Sequence, residues 1–186
     1  PPRSTLFPYT TLFRSDTPLA KELIEEYRFV QNYKQKWSVA PFPPTFVTTD
    51  AVVICLEHVL MIKRGRNPGK GLYALPGGFL DQTESIENGC LRELKEETQI
   101  ALSKNYLSTR IRNNHVFDHP LRDPRGRIIT HAFLFDLADS KDFPYVKAND
   151  DASSVEWVPL HKLEKYDPQI FGDHSQIIRY FLARLS

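Results

Sequence analysis

Three glutamates stand where they could act together. In Arg92-Glu93-Leu94-Lys95-Glu96-Glu97, a helix advancing about 100° per residue makes Glu93 and Glu97 neighbours, and Glu96 borders the same face. Carboxylates gathered within one turn repel one another by about 0.2–0.5 kcal/mol per exposed pair, and by more where a cleft excludes water. A hard divalent cation turns that repulsion into attraction, and oxygen-only donors suit Mg²⁺ or Mn²⁺. Arg92 is placed to pair with a neighbouring carboxylate and fix its rotamer. Taken alone, this hexapeptide is equally an ordinary solvated helix face laced with i, i+4 pairs. Its flanks argue otherwise. Pro76-Gly77-Gly78 lets backbone approach a ligand closely. Glu84 falls at the expected helix start, where a carboxylate favours the positive end of the dipole.

The elements that must position these residues follow from periodicity. Glu84 to Thr98 is predicted to be helical, with Cys90, Leu91 and Leu94 forming an apolar face suited to docking on a sheet. Ala51 to Leu56, Val59 to Ile62, Val116-Phe117, Ile128 to Leu137 and Val155 to Val158 read as strands. Asp123-Pro124-Arg125-Gly126 is a turn-forming connection between two of them. Residues 16 to 37 look helical, with Leu19, Leu23, Tyr27 and Val30 at near-helical spacing, and Gln176 to Leu185 is an amphipathic closing helix. Pro41, Pro43 and Pro44 break the chain between the first helix and the first strand. Strands on both sides of a central helix, with helices at the ends, predict an α/β layered domain.

Bulk properties narrow the function classes. A chain of 186 residues, 41% hydrophobic and 25% charged, suits one core-bearing globular domain and contains no run long enough to span a bilayer as a helix. Residues 1–15, PPRSTLFPYTTLFRS, lack acids and carry a near-repeat, Ser4 to Phe7 echoed by Thr10 to Phe13. They resemble a translated adapter or linker and are expected to lie outside the fold. Without Arg3 and Arg14 the formal charge of +1 becomes −1, so the basic balance is no argument for nucleic-acid binding. Cys55 and Cys90 have no zinc-ligand spacing and read as buried, reduced thiols of a cytoplasmic protein.

The stretch Gly78-x₅-Glu84-x₇-Arg92-Glu93-Leu94-Lys95-Glu96-Glu97-Thr98-Gln99-Ile100 resembles the Nudix box, departing from it only at Gln99, where that pattern has glycine. The resemblance implies a Nudix α/β/α sandwich with a mixed central sheet and a loop–helix–loop box. It further implies metal ligation by Glu93, Glu96 and Glu97 with the Gly77 carbonyl, and support from Arg92 and Glu84. The cofactor implied is Mg²⁺, with Mn²⁺ as a substitute. Gln99 follows the helix, where glycine usually serves a left-handed turn, so it should strain the exit without removing a ligand.

Outside the box, Phe117 to Ala132 and Phe171-Gly172-Asp173-His174 are similar to one Nudix branch, the ADP-ribose pyrophosphatase domain of bifunctional nicotinamide-mononucleotide adenylyltransferase/Nudix proteins. That resemblance implies hydrolysis of ADP-ribose to AMP and ribose 5-phosphate, a nucleotide as partner, and an upstream adenylyltransferase domain missing from this chain, which has no His-x-Gly-His motif. Membrane and nucleic-acid partners are not expected, and a homodimer is left open. Residues 46–186 would form the Nudix domain, preceded by a helix and linker over 16–45.

Arg122, Arg125 and Arg127 suit a diphosphate because guanidinium forks match phosphate oxygens, although solvated turn arginines would look the same. Gly78 would admit substrate closely. Phe46, Tyr73, Phe79 and Phe117 could stack on adenine or fill core. His115 and His119 read as structural. A general base is sought near Asp150-Asp151 and Glu156, with Asp151 the chosen candidate, against a capping or loop role for the pair. Three other readings stay open: a non-catalytic ADP-ribose-sensing module of a regulator of NAD metabolism, a Nudix hydrolase acting on another nucleotide, and an inactive fragment whose truncation and Gln99 impair folding or assembly.

Overall fold

The structure is a computed structural model in which residues 17–185 are described; the expectation for residues 1–15 falls outside them. The chain divides between Pro43 and Pro44 into two units. In the first, helix α1 runs Pro18–Lys36. Thr17 caps it by accepting a hydrogen bond from the Ala20 N–H at 3.2 Å, Pro18 occupies the first turn, where no N–H is needed, and Lys34 and Lys36 face the negative end of the dipole.

The second unit is built on β1 (Thr45–Cys55), which neighbours three strands. A main path of five runs β3 (Tyr73–Ala74), β2 (His58–Arg64), β1, β6 (Arg127–Asp136), β5 (Ile111–Phe117). Off that path, β4 (Gly77–Phe79) pairs with β1 and β7 (Ala152–Pro159) with β2. The β1–β6 pair is parallel and the other pairs are antiparallel, so the sheet is mixed as expected.

The apolar run in β1 is continuous rather than alternating because both faces of the sheet are covered. On one face Ala51, Val53 and Cys55 pack with Cys90, Leu91 and Leu94 of α2 (Ile86–Thr98), and with Phe133 and Phe135. On the other, Val52 and Ile54 pack with Val59, Met61 and Leu134 against Ile177, Ile178 and Phe181 of α5 (His174–Leu182). The result is an α/β/α sandwich. Fully burying one such aliphatic side chain contributes about 1.5–3 kcal/mol, so the paired clusters dominate the stability of this unit.

Several boundaries differ from the sequence reading. β1 begins at Thr45, well before the apolar run, because Thr45–Asp50 are held by their register with β6 and β4. Helix α2 starts at Ile86, not Glu84: Ser85 is its cap and accepts from the Asn88 N–H at 3.3 Å. Two short helices, α3 (Lys104–Thr109) and α4 (Leu163–Tyr166), are too brief to leave a periodic signal.

Candidate active site

Arg92 is the hub of the box helix. Its guanidinium donates to Glu84 Oε1 at 2.7 Å, to Glu93 Oε1 at 2.8 Å, to Glu96 Oε2 at 3.0 Å and to the Phe79 carbonyl at 3.2 Å. One cation thus gathers three carboxylates and pins β4 to α2. Glu84 lies before the helix and also accepts from the Asp81 N–H at 3.0 Å; its pairing with Arg92 holds its carboxyl below the usual range. Arg92 itself is pushed above its ordinary value, chiefly by Glu84.

Glu97 points the other way, into the sheet. It is 5% exposed and accepts from the Gly77 N–H at 2.9 Å. Burial first, then the nearby charges of Glu93 and Asp50, push its carboxyl up to about 8 against the lowering effect of Gly77 and Arg64. Glu93 is raised too, first by burial and then by Glu96 and Asp150 against Arg92. Gly78 explains how Glu93 comes so close: a Cβ there would stand 2.5 Å from its carboxylate. At Gly77 a Cβ would meet the Thr49 carbonyl at 2.1 Å. Gly77 therefore requires glycine, because the Thr49 backbone cannot yield, whereas a side chain at position 78 would displace the Glu93 carboxylate.

These residues suit a divalent cation by chemistry. The donors are all oxygen, two of the carboxylates are partly or fully buried, and their pKa values are raised first by burial and then by neighbouring carboxylates, an unfavourable negative charge that a cation would relieve. Among the described residues no three carboxylates or imidazoles already converge at cation distance. Arg92 holds Glu93 and Glu96 while Gly77 holds Glu97, so their side chains would have to rotate to take up a cation together.

Across β4 from these carboxylates, a cleft opens between β1, the β5–β6 loop and the start of α5. It is lined by Thr48, Asp50, Arg64, Arg122, Arg125 and His174, with Asp123, Phe171, Asp173 and Gly78 completing it. Arg122 enters this cleft but is paired bidentately with Asp173 at 2.9 Å for both contacts. Arg125 folds back on Asp123 at 2.9 and 2.8 Å and lies over the Phe79 ring at 5.0 Å. Arg127 is not in the cleft lining; it reaches the Asp118 carbonyl instead. Phe117 is also elsewhere, edge-on to Tyr180 at 5.2 Å in an aromatic group with His115. Of the other aromatics, Phe46 meets Phe79 edge-on at 5.9 Å beside the Arg125 guanidinium, whereas Tyr73 is core. His115 stacks on Tyr180, and His119 accepts from the Leu121 N–H through Nδ1.

The acidic pair divides. The Asp151 carboxylate stands 2.9 Å from Arg66, and Glu156 bonds to Tyr73. Asp150, in the left-handed region at φ 52°, is the member whose charge bears on Glu93. It is delivered there by an extended segment whose Lys147 and Asn149 N–H groups donate to the Thr98 and Glu97 carbonyls, at 2.8 and 3.1 Å, and so satisfy the end of α2.

Sequence reasoning missed Asp50, Arg64, Asp123, Asp173 and His174. Asp50 is buried and accepts from the Thr130 hydroxyl at 2.6 Å. His174 is buried, its Nδ1 accepts from the Leu75 N–H at 2.9 Å, and burial lowers its pKa, so it is the neutral imidazole. The one local signal was Phe171-Gly172-Asp173-His174, already conspicuous for its resemblance.

Comparison with known proteins agrees with this geometry. The NUDIX domain family matches residues 45–181. An ADP-ribose pyrophosphatase from Methanocaldococcus jannaschii is 36% identical over 137 residues, spanning 73% of this chain and 72% of its own. Among solved structures, a bifunctional NMN adenylyltransferase/ADP ribose pyrophosphatase from Francisella tularensis, complexed with AMP and a manganese ion, superposes with a TM-score of 0.89 at 42% identity. That match covers 92% of this chain but 51% of the other, so the chain spans about half the length of the bifunctional protein. The NUDIX domain of NrtR from Shewanella oneidensis, solved with ADP ribose, has a TM-score of 0.66 at 26% identity and covers 84% of this chain and 98% of that one. With the box helix, its glycine strand and the sheet all in place, the chain belongs to the Nudix hydrolase family.

Proposed function

We propose that this chain hydrolyses ADP-ribose to AMP and ribose 5-phosphate, with Mg²⁺ as its cofactor and Mn²⁺ as a working substitute. The observation that carries the reading is the side-chain-free strand Gly77-Gly78, which brings the carboxylates of Glu93 and Glu97 against one side and leaves an arginine-lined cleft on the other. The likeness to an ADP-ribose pyrophosphatase supports the choice of substrate.

A bound divalent cation would supply a Lewis acid for the diphosphate and a more acidic water. Glu93, Glu96 and Glu97 would hold it, with the Gly77 carbonyl as a further oxygen donor. Arg92 keeps Glu93 and Glu96 within reach while Glu84 anchors the guanidinium. Water adds to one phosphorus, the bridging P–O bond breaks, and the departing phosphate takes the electron pair. Of the acidic pair, Asp150 is better placed than Asp151 to accept the water proton, because its charge bears on Glu93 whereas Asp151 faces Arg66. Phe46 and Phe79 offer ring faces for the adenine beside the Arg125 guanidinium.

The sensing alternative draws on the likeness to NrtR, but all three box glutamates are present here. AMP release from ADP-ribose in Mg²⁺ decides between the readings. The parent should turn over, and Glu97→Gln should lose about 100-fold or more in kcat. Binding of ADP-ribose by the parent without release of AMP would favour the sensor; neither binding nor release would remove ADP-ribose as the ligand.

A further inference from the structure

The two arginines of the β5–β6 loop that line the cleft are both neutralised by bidentate aspartates, Arg122 by Asp173 and Arg125 by Asp123. Arg64, at the end of β2, is different. It lines the same cleft, yet among the described residues no carboxylate lies within ion-pair distance of it; Glu97, Asp123 and Asp50 attract it only from further away. Its Nε donates to the Pro68 carbonyl at 2.7 Å, which leaves both terminal nitrogens without a protein acceptor among the described residues. The guanidinium lies over the Phe171 ring, 4.4 Å from its centroid. That ring is fixed from another side by Gly69, where a Cβ would stand 2.3 Å from it. Gly69 takes φ +72°, a conformation glycine adopts freely, and the Leu72 N–H closes the turn on the Gly69 carbonyl at 3.0 Å.

We infer that Arg64 is the guanidinium that receives the substrate's diphosphate, with Phe171 and Gly69 holding its plane in position. The inference rests on the pyrophosphatase reading for the identity of the substrate, though not for the existence of the anion site. The physical ground is preorganisation. An arginine tied at Nε and stacked on a buried ring has given up its rotamer freedom during folding, so an incoming anion need not order it. Its exposed edge offers parallel N–H groups that match two oxygens of one phosphate. Arg122 and Arg125 would first have to leave their aspartates, which makes them poorer first contacts. Burial and the neighbouring Arg125 charge both press against the Arg64 cation, a strain that a bound anion relieves.

The test is calorimetric titration with inorganic pyrophosphate in the presence of EDTA, on the full chain and on Arg64→Gln, Arg64→Lys and Phe171→Leu. Arg112→Gln, an exposed arginine of β5, serves as the control for bulk charge. Arg64→Gln should weaken binding by about 10- to 100-fold, the loss expected for charge-assisted hydrogen bonds. Arg64→Lys keeps the charge but loses the fork and should lose about 5- to 10-fold; it carries the comparison if the glutamine variant proves unstable. Phe171→Leu should lose a smaller factor, and the control nothing. With ADP-ribose, the Arg64 variants should raise KM more than they lower kcat, at a thermal midpoint close to the parent's. Equal pyrophosphate affinity in the parent and both Arg64 variants would overturn the inference, as would no binding to the parent at millimolar concentration. A parent that cleaves no ADP-ribose, yet binds pyrophosphate in an Arg64-dependent way, would remove the substrate and keep the anion site. Cleavage with a KM indifferent to Arg64 would do the reverse.

Discussion

At Gln99 the backbone turns left-handed, with φ 44° and ψ 32°, and its N–H closes on the Lys95 carbonyl. A side chain in that region costs about 1–2 kcal/mol relative to glycine, partly offset by the greater freedom glycine brings to the unfolded chain. Gln99→Gly is therefore expected to stabilise the protein by about 0.5–1 kcal/mol, read as a higher urea midpoint at unchanged slope. An unchanged midpoint would show that the strain is relieved elsewhere, for instance by Lys95, whose ammonium donates to the Ile100 and Leu102 carbonyls just beyond the turn. This position was legible from sequence because the turn follows the helix by spacing alone. The Arg92 hub was legible for the same reason, its partners Glu93 and Glu96 being local. Asp50, Arg64 and Asp173 were not, since residues more than a hundred positions apart meet in that cleft only through the sheet. The arginines at 122 and 125 misled for a related reason. Sequence shows a guanidinium suited to phosphate but not the aspartate that already occupies it.

Among the elements, α2 bears the whole carboxylate set, so its seating on the sheet sets their position. Leu94 is fully buried between Glu93 and the next turn, packed with Ala51, Val53 and Cys90. Leu94→Ala should cost about 2–5 kcal/mol in guanidinium unfolding. A loss below 1 kcal/mol would mean that the helix is not docked as described. The docking face was readable from the spacing of Cys90, Leu91 and Leu94, and so was the helix itself. Its boundaries were harder: a glutamate that favours the dipole and a serine that caps sit side by side at Glu84 and Ser85, and only the Asn88 N–H decides between them. The extended segment 145–149 capping the far end gave no sign in sequence, because its partners are helix carbonyls rather than a strand.

For the whole molecule, one buried acid and one buried base act on stability in opposite senses. Glu97, raised to about 8, binds a proton in the folded state that the unfolded chain has released above about 4.5, so stability falls as pH climbs through that window. His174, lowered by burial, stays neutral in the fold, and its contribution is lost as pH falls below about 6.5. Between about pH 7 and 9, above the imidazole's range, the thermal midpoint in EDTA should therefore decline, and millimolar Mg²⁺ should recover more of it at the upper end, where less proton competes. A midpoint flat across that range in EDTA would contradict the burial of Glu97. The sandwich itself was foreseeable from the order of strands and helices, whereas its strand order was not, because β1 pairs in parallel with β6, from Thr45 with Arg127 to Ile54 with Asp136. That pairing has a temporal side. On the ribosome, β1 emerges some eighty residues before the strand that completes its edge, and the carboxylate helix is made in the interval with half its platform absent. Closing so long a loop is slow, so a nascent chain halted before Arg127 would display the apolar flank of β1 to whatever chaperone stands at the exit.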